Sequence, residues 1–292
     1  MRKYQELLII LVGYIVAVLL GILVSTLFSV NLVLEILIID LVATIIIYLF
    51  SIIFKNASFY DPYWSVIPPV LVLYAMISLN SFGATNILVL IAISIWAIRL
   101  TYNWATEWTN MNKQDWRYDL IKANTKRFYP LVSFVGIMLM PTIIVFLQVA
   151  VLVKVIEANS DINLLSMVFI ILILVATLIQ GISDIQMRNF RKRKVKPAVI
   201  NEGLWKYSRH PNYFAEIFVW ISAYGIYLSV YGRFDYYVIA PIAMIALFMF
   251  ISIPLMEKKM LKSRPSYLEY QKNVSMIIPW KPKVKETKTV NE

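Results

Sequence analysis

The chain has 292 residues, of which 60% are hydrophobic and only 15% are charged, and its formal net charge is +11. Soluble domains contain about a quarter charged residues, so this composition excludes a soluble globular domain and predicts a polytopic α-helical membrane protein. The absence of cysteine excludes disulfides, thiolate metal sites and cysteine nucleophiles, and a single histidine argues against a histidine-based metal site, so we expect no bound metal.

Apolar runs of about 20 residues can cross the hydrocarbon core of a bilayer. The sequence contains eight such runs, at residues 7–30, 31–54, 62–82, 86–105, 128–153, 162–184, 212–231 and 236–256. The first run is too long for a signal-peptide core and lacks a small-residue cleavage site, so we interpret it as a membrane helix. We therefore expect an all-α polytopic bundle, with residues 1–280 as one transmembrane domain and residues 281–292 as a disordered basic tail.

Lysine and arginine are distributed unevenly over this predicted bundle. With a cytoplasmic N-terminus, all but three of the 28 cations lie on the cytoplasmic side; Lys154 and Arg233 lie on the other side and Arg99 lies inside a span. Cytoplasmic loops of membrane proteins are enriched in cations, so both termini are predicted to be cytoplasmic. The positive charge is thus a topology signal, and we expect a lipid bilayer and no nucleic acid as partner.

Polar side chains accompany the third and fourth spans. Asp61 and Tyr63 lie in the segment Asp-Pro-Tyr-Trp-Ser, which a helix cap with an aromatic belt explains as well as a functional site does. Arg99, Asn103 and Glu107 are each four residues apart and form one stripe on a helix. The alternative for this stripe is an intramembrane ion pair that fixes helix packing.

Two further charged segments lie in the cytoplasmic connections. The loop after the fourth span contains Asp-Trp-Arg-Tyr, ending at Tyr118. The sixth span ends through Asp184, which is four residues from Arg188, and Arg188 is three residues from Arg191. A basic run that ends a span explains the arginines but not the carboxylate, which favours a functional role for Asp184.

The segment 203–216, Gly-Leu-Trp-Lys-Tyr-Ser-Arg-His-Pro-Asn-Tyr-Phe-Ala-Glu, carries the only histidine and opens the seventh span. Pro211 suits the first turn of a helix, whose free N–H groups and dipole favour an anion. An interfacial aromatic belt is the alternative, but it leaves Glu216 unexplained, because a carboxylate inside a span is costly. The candidate cofactor contacts here are Tyr207, Arg209, His210, Asn212, Tyr213 and Glu216. Farther on, Tyr267 and Tyr270 are three residues apart on a short helix that could fold back over the site.

Taken together, these motifs resemble the membrane steroid 5α-reductase family, specifically its bacterial branch. The resemblance covers most of the chain from about Asp61 to Pro279 and depends on residues 61–65, Arg99, residues 115–118, 183–184 and 203–216. Segment 203–216 and Tyr-Leu-Glu-Tyr at 267–270 are also similar to C14-type sterol reductases and to isoprenylcysteine and phospholipid methyltransferases. That segment is therefore typical of a superfamily of membrane enzymes rather than of one reaction.

The resemblance implies a bundle with a seven-helix reductase core and NADPH bound among the cytoplasmic helix ends of a bacterial inner-membrane protein. It implies cofactor contacts at Arg99, Asp184, Arg188, Arg191, Asn212 and Glu216. Trp96 stands where the animal steroid enzymes have a tyrosine that donates to the substrate carbonyl. Asp61, Tyr63 and Tyr118 are therefore the candidate catalytic residues, with Tyr102 as a further stand-in for the missing phenol.

The sequence thus predicts a membrane NADPH-dependent reductase of the C=C bond of a lipophilic α,β-unsaturated carbonyl, steroid-like or isoprenoid-like, acting as a monomer. One alternative is an S-adenosylmethionine-dependent membrane methyltransferase that uses the same helix start. The other is a lipid-binding membrane protein without catalytic activity.

Overall fold

The computed structural model describes residues 3–195 and 198–283, and in these ranges the secondary structure is helical apart from one isolated β-bridge. The predicted all-α polytopic bundle is confirmed. The helices are α1 (Lys3–Ser25), α2 (Leu32–Ile53), α3 (Tyr63–Ser78), α4 (Ala84–Glu107), α5 (Trp116–Ala158), α6 (Leu164–Lys192), α7 (Pro211–Tyr231), α8 (Tyr236–Ser263) and α9 (Tyr267–Asn273). Of the predicted tail, residues 284–292 lie outside the described residues.

In the part of the chain that the structure describes, seven helices are long and apolar enough to cross a membrane, whereas the sequence contains eight such runs. The exception is α3, which has 16 residues and two prolines, Pro68 and Pro69. Its length is about 24 Å at 1.5 Å per residue, less than the roughly 30 Å of hydrocarbon.

Although α3 is short, the chain from residue 56 to residue 81 runs from one end of the bundle to the other. Just before it, the Asn56 side chain donates to the carbonyl of Met111, beyond the end of α4. Just after it, the Ser81 hydroxyl donates to the carbonyl of Ile156, near the end of α5. The chain therefore crosses the bundle eight times.

This even number of crossings brings the two ends of the described chain together. Lys3 Nζ donates to the carbonyl of Thr106, and Trp108 Nε1 donates to Glu6 at 3.0 Å, so α1 starts beside the end of α4. Near the C-terminus, the Trp280 N–H donates to the carbonyl of Tyr207, just before α7. The structure thus has one end that holds both chain ends and the longer connections, called here the terminal end.

The loop predicted between the fourth and fifth spans contains a helical segment. Residues Trp116–Thr125 form the first turns of α5, because the Asp115 side chain caps them by accepting from the Arg117 N–H. This polar segment is set off from the apolar part of α5 at Lys126, which has a φ of 47°. The predicted loop residues at 115–118 are therefore held rigidly on a helix N-terminus.

Close helix packing depends on two glycines that leave no room for a side chain. A Cβ on Gly225 of α7 would lie 2.4 Å from the ring of Phe169 on α6, and one on Gly21 of α1 would lie 2.6 Å from the carbonyl of Ile39 on α2. Small residues allow this approach between membrane helices, where packing rather than the hydrophobic effect drives association. Leucines on the outer face of α1, such as Leu8 and Leu19, are exposed, as expected for contact with lipid.

Candidate functional site

A cleft of about 240 Å³ opens at the terminal end, between the last turns of α6 and the start of α7. We call it the α6–α7 cleft. Its lining comprises Asn103, Glu107, Asp184, Met187, Phe190, Arg191, Val199, Ile200, Trp205, Arg209, His210, Asn212, Tyr213, Met256, Met260, Arg264, Tyr267 and Tyr270. Six of the predicted cofactor contacts are therefore neighbours in space: Asp184, Arg191, Arg209, His210, Asn212 and Tyr213.

One wall of this cleft is the start of α7, whose polar residues are held by Glu257 of α8. The Arg209 guanidinium donates to Glu257 from Nε at 2.7 Å and from Nη2 at 3.4 Å, and His210 Nε2 is 3.1 Å from the same carboxylate. The His210 ring is stacked parallel to that of Tyr213, with 5.4 Å between ring centroids. The charge of Arg209 is thus paired with Glu257 inside the protein, and its role as a cofactor contact stays a prediction.

The roof of the cleft is the C-terminal strap, residues 264–283. Arg209 Nη1 donates to the carbonyls of Gln271 and Val274, each at 2.8 Å, and the Gln271 side chain donates to Glu257 at 2.7 Å. The hydroxyl of Tyr270 donates to the carbonyl of Trp205. Arg209 and Glu257 therefore form a clamp that fastens the strap over the start of α7.

Next to the cleft lies a buried ionic network between α4, α6 and α7. Arg99 Nη1 donates to Asp184 at 2.8 Å, and its Nη2 is 3.6 Å from Glu216. Glu216 also accepts from the indole N–H groups of Trp96 and Trp220 and from the Gln180 side chain at 2.5 Å. This carboxylate has several internal partners and does not line the cleft, so as placed it positions Arg99 and Trp96 rather than facing a ligand.

The other predicted cofactor contacts lie at the edge of the site. Arg188 donates to Asn103 at 2.9 Å and lies over the ring of Tyr102. Arg191 forms an exposed ion pair with Glu107 at 2.6 Å. Tyr207 has 43% of its surface exposed and is not part of the cleft lining.

The candidate catalytic residues form two separate pairs near the start of α3. The Tyr118 hydroxyl donates to the Asp61 carboxylate, whereas the Tyr63 hydroxyl donates to Asp40 of α2 at 2.7 Å. Burial raises the pKa of Asp61 to about 6, although the nearby Arg117 opposes this shift. Asp61 can therefore hold or release a proton near neutral pH.

The Asp61–Tyr118 pair lies at the same end of the bundle as the cleft. Lys259 of α8 is 3.6 Å from the centroid of the Trp116 ring, which ties the start of α5 to a helix that lines the cleft. The start of α5, which carries Tyr118, thus contacts a helix that lines the cleft.

The site retains donors that could hold an anionic cofactor. Among the described residues, Arg99 Nε and Nη2 and Arg188 Nε are buried without a hydrogen-bonding partner. Arg264 contributes a further guanidinium to the cleft lining. Because phosphates are best bound by arginine, Arg264 in the lining fits a phosphate-bearing cofactor, whereas Arg99 and Arg188 lie next to the cleft and do not line it.

Some residues that shape the site carry only a weak signal in the sequence. Glu257 reads as a charge that ends the last span, and Trp220 reads as an ordinary membrane-helix residue. A carboxylate inside an apolar run is a usable signal, since such a group needs a partner. Its partner, however, is identified only by the packing of the helices.

One comparison with known proteins gives a family. A family model described as "Protein of unknown function (DUF1295)" matches residues 47–274, most of the chain. No curated protein and no solved structure matches.

Proposed function

Since the chain belongs to the DUF1295 family, whose description states no activity, we propose from the site itself that it is a membrane NADPH-dependent reductase of the C=C bond of a lipophilic α,β-unsaturated carbonyl. The observation that carries the proposal is the convergence of Asp184, His210, Asn212 and Tyr213 on one cleft, at the same end of the bundle as the Asp61–Tyr118 pair. Such an enzyme needs a polar pocket for the cofactor and a proton donor close to it.

The cleft residues supply the groups that this cofactor requires. Asp184 and Asn212 can pair with hydroxyl and amide groups, and Arg191 and Arg264 can face phosphates. The stacked His210 and Tyr213 rings offer a flat surface to an aromatic ring. When bound, NADPH would supply a hydride to the β-carbon of the double bond.

The protein's own chemical task is to stabilise the charge that develops on the substrate carbonyl. Tyr118 carries its hydroxyl proton at Oη and shares it with Asp61. Turned towards a substrate oxygen, this hydroxyl would donate a hydrogen bond to the developing enolate. Tyr63 is less suited to this task, because it is only 1% exposed and binds Asp40 of α2, whereas Tyr118 is 8% exposed.

A second candidate is an S-adenosylmethionine-dependent methyltransferase, which one observation favours. Arg209, His210, Tyr267 and Tyr270, the features shared with the methyltransferase resemblance, all line the cleft. Asp61 and Arg99, which belong to the reductase resemblance alone, do not line it. The cleft is also small against the roughly 300–1,000 Å³ of common ligand pockets, which suits a smaller cofactor.

Cofactor binding by the purified full chain in lipid nanodiscs separates these candidates. We expect NADPH to bind and S-adenosylmethionine not to bind, and we expect Asn212→Ala to weaken NADPH binding by about tenfold or more, as for loss of a buried polar contact. Asn163→Ala, at the cap of α6 away from the cleft, is the matched control. Tight S-adenosylmethionine binding without a response to NADPH would establish the second candidate, and binding of neither would favour a non-catalytic lipid-binding protein.

A positive result leads to a substrate screen. NADPH oxidation is followed with enone steroids and with prenyl or quinone enones, presented in detergent. Turnover with any of them would establish the reaction class, whereas NADPH binding without turnover of any of them would limit the claim to a cofactor-binding protein.

A further inference from the structure

A second cavity lies at the terminal end of the structure and is formed by the C-terminal strap. It has a volume of about 310 Å³, and apart from Arg209 its lining comes from the strap between Gln271 and Lys283. We call it the strap pocket. Among the described residues, Arg209 is the only one that lines both this pocket and the α6–α7 cleft, so the two are separate sites.

The lining of the strap pocket is cationic. Lys272, Lys281 and Lys283 line it together with Arg209, and the described residues contribute no acidic side chain to it. Arg209 is paired with Glu257, whereas none of the three lysines forms an ion pair within the described part of the chain. The pocket therefore holds three positive charges that the residues around it do not neutralise.

Backbone hydrogen bonds bring these lysines together. The Lys283 N–H donates to the carbonyl of Asn273 at 2.9 Å, so Lys283 lies beside the neighbour of Lys272. The Trp280 N–H donates to the carbonyl of Tyr207 at 2.9 Å, which fastens the end of the strap to the segment before α7. A basic tail that only needs solvent would not require these bonds. The strap pocket is thus a folded feature with its charges held in place.

A phosphate group fits the chemistry of this pocket. Like charges held close together repel one another, and a bound anion removes that repulsion. Each lysine ammonium can donate hydrogen bonds to an oxygen of the anion, and lysine binds phosphate as a point charge. Asn273 and Ser275 add an amide and a hydroxyl to the lining. The pocket can therefore surround one phosphate with charged and neutral donors.

Exposed apolar side chains next to the lysines favour a lipid as the source of this phosphate. Trp280 lines the pocket and is 73% exposed, and Ile278 is 63% exposed. Tryptophan is enriched at the membrane–water interface, and lysine clusters close to a membrane span bind anionic headgroups. The strap directly follows α8, a helix apolar enough to cross a membrane. A soluble phosphate would gain nothing from the two exposed apolar side chains.

We propose that the strap pocket binds the phosphate of an anionic lipid headgroup, with Lys272, Lys281 and Lys283 around the phosphate and Trp280 at the level of the headgroups. This site goes beyond the proposed function and does not rest on it, because it requires neither NADPH nor an enone. The bound headgroup neutralises the three lysines and so stabilises the strap in its present position. Since the strap is also the roof of the α6–α7 cleft, the lipid keeps that roof in place.

Lysine acetylation of the unmodified full chain in nanodiscs tests the proposal. Labelling rates are measured by peptide mass spectrometry in phosphatidylcholine nanodiscs with and without phosphatidylglycerol. We expect phosphatidylglycerol to slow labelling of the pocket lysines by about fivefold relative to Lys206, the scale of one lysine–headgroup interaction. Lys206 is an exposed lysine at the same end that does not line the pocket, so it reports the general effect of a charged membrane. Equal slowing at Lys206 and the pocket lysines would overturn the proposal. Equal protection by inorganic phosphate in phosphatidylcholine nanodiscs would assign the pocket to a soluble anion and overturn the choice of a lipid.

Replacement of the lysines tests their contribution to affinity. Native mass spectrometry of the full chain in a neutral detergent gives the phosphatidylglycerol concentration that half-saturates the protein. We expect a triple variant to raise this concentration by about a hundredfold, since each lysine near an anionic headgroup accounts for about fivefold; its changes are Lys272→Gln, Lys281→Gln and Lys283→Gln. The matched control removes the same charge from three exposed lysines at the same end that do not line the pocket and should leave the concentration unchanged; its changes are Lys113→Gln, Lys192→Gln and Lys206→Gln. Equal effects of the two triple variants would refute a specific site, whatever the outcome of the NADPH experiment.

Discussion

The Arg209–Glu257 clamp allows a quantitative prediction about the C-terminal strap. Both side chains are nearly buried, at 10% and 12% exposed, and Glu257 accepts from Arg209, His210, Gln271 and Tyr267. Replacing Glu257 with alanine removes every one of these bonds. It also leaves the Arg209 guanidinium with only its two carbonyl partners.

The expected cost follows from the loss of one partner of a buried ion pair. Such a loss costs about 3–5 kcal/mol, and the two remaining carbonyl contacts of Arg209 place the value near the lower limit, at about 3 kcal/mol. A change of this size increases the equilibrium constant for opening of the strap by about a hundredfold. Cleavage after Lys272 under limited trypsin digestion should accelerate accordingly.

The matched control is Glu202→Ala. Glu202 pairs with Arg193, but their side chains are 47% and 44% exposed. An exposed pair is worth only about 0–1 kcal/mol, so cleavage in the strap should change little. If Glu257→Ala and Glu202→Ala accelerate cleavage equally, the clamp does not hold the strap and our reading of Arg209 is wrong.

Three further predictions concern the site. Tyr118→Phe should lower kcat for enone reduction by about a hundredfold, the scale of a lost proton donor, with NADPH affinity unchanged. A larger loss of kcat in Tyr63→Phe would make Tyr63 the proton donor instead of Tyr118. Glu216→Ala should destabilise the fold by about 3–5 kcal/mol, because Trp96 and Arg99 lose their shared partner. Thermal unfolding followed by tryptophan emission measures this loss. Unchanged stability with lost NADPH binding would instead show that Glu216 contacts the cofactor directly. Burial raises the pKa of Asp61 from 3.8 to about 6, so the folded state binds this proton more tightly than the unfolded state does. The free energy of unfolding should therefore fall as pH rises from about 4 to 6. Asp61→Asn should abolish this pH dependence, and the same dependence in both proteins would contradict the shift.

Local patterns in the sequence are enough to predict much of the candidate site. Arg99, Asn103 and Glu107 are four residues apart, and the structure places Asn103 and Glu107 in the cleft lining. Helix geometry alone puts them on one face. The sequence also indicates a functional role for Asp184, because a carboxylate at the end of an apolar run is not needed to end the span, and Asp184 lines the cleft.

Other features of the molecule depend on partners that are distant in the sequence. The segment with Arg209 and His210 before Pro211 predicts cofactor contacts, but only the structure shows that Glu257, 47 residues after His210, binds both side chains. The third apolar run is long enough to predict a full span, yet the chain turns out of the helix at Ser78 and reaches the other end of the bundle through the residues that follow. In both cases a distant segment decides the outcome.

The sequence by itself determined that this is an all-helical membrane protein, where most of its helices lie, and which of their faces are polar. These properties depend on hydropathy and helical periodicity, which are local. Only the tertiary structure decided that Glu216 binds Trp96, 120 residues away, and that Asp40 receives the hydroxyl of Tyr63. The physical reason is that close packing, as at Gly225 and Gly21, selects which helix faces meet, and a buried carboxylate takes its role from the side chains brought against it.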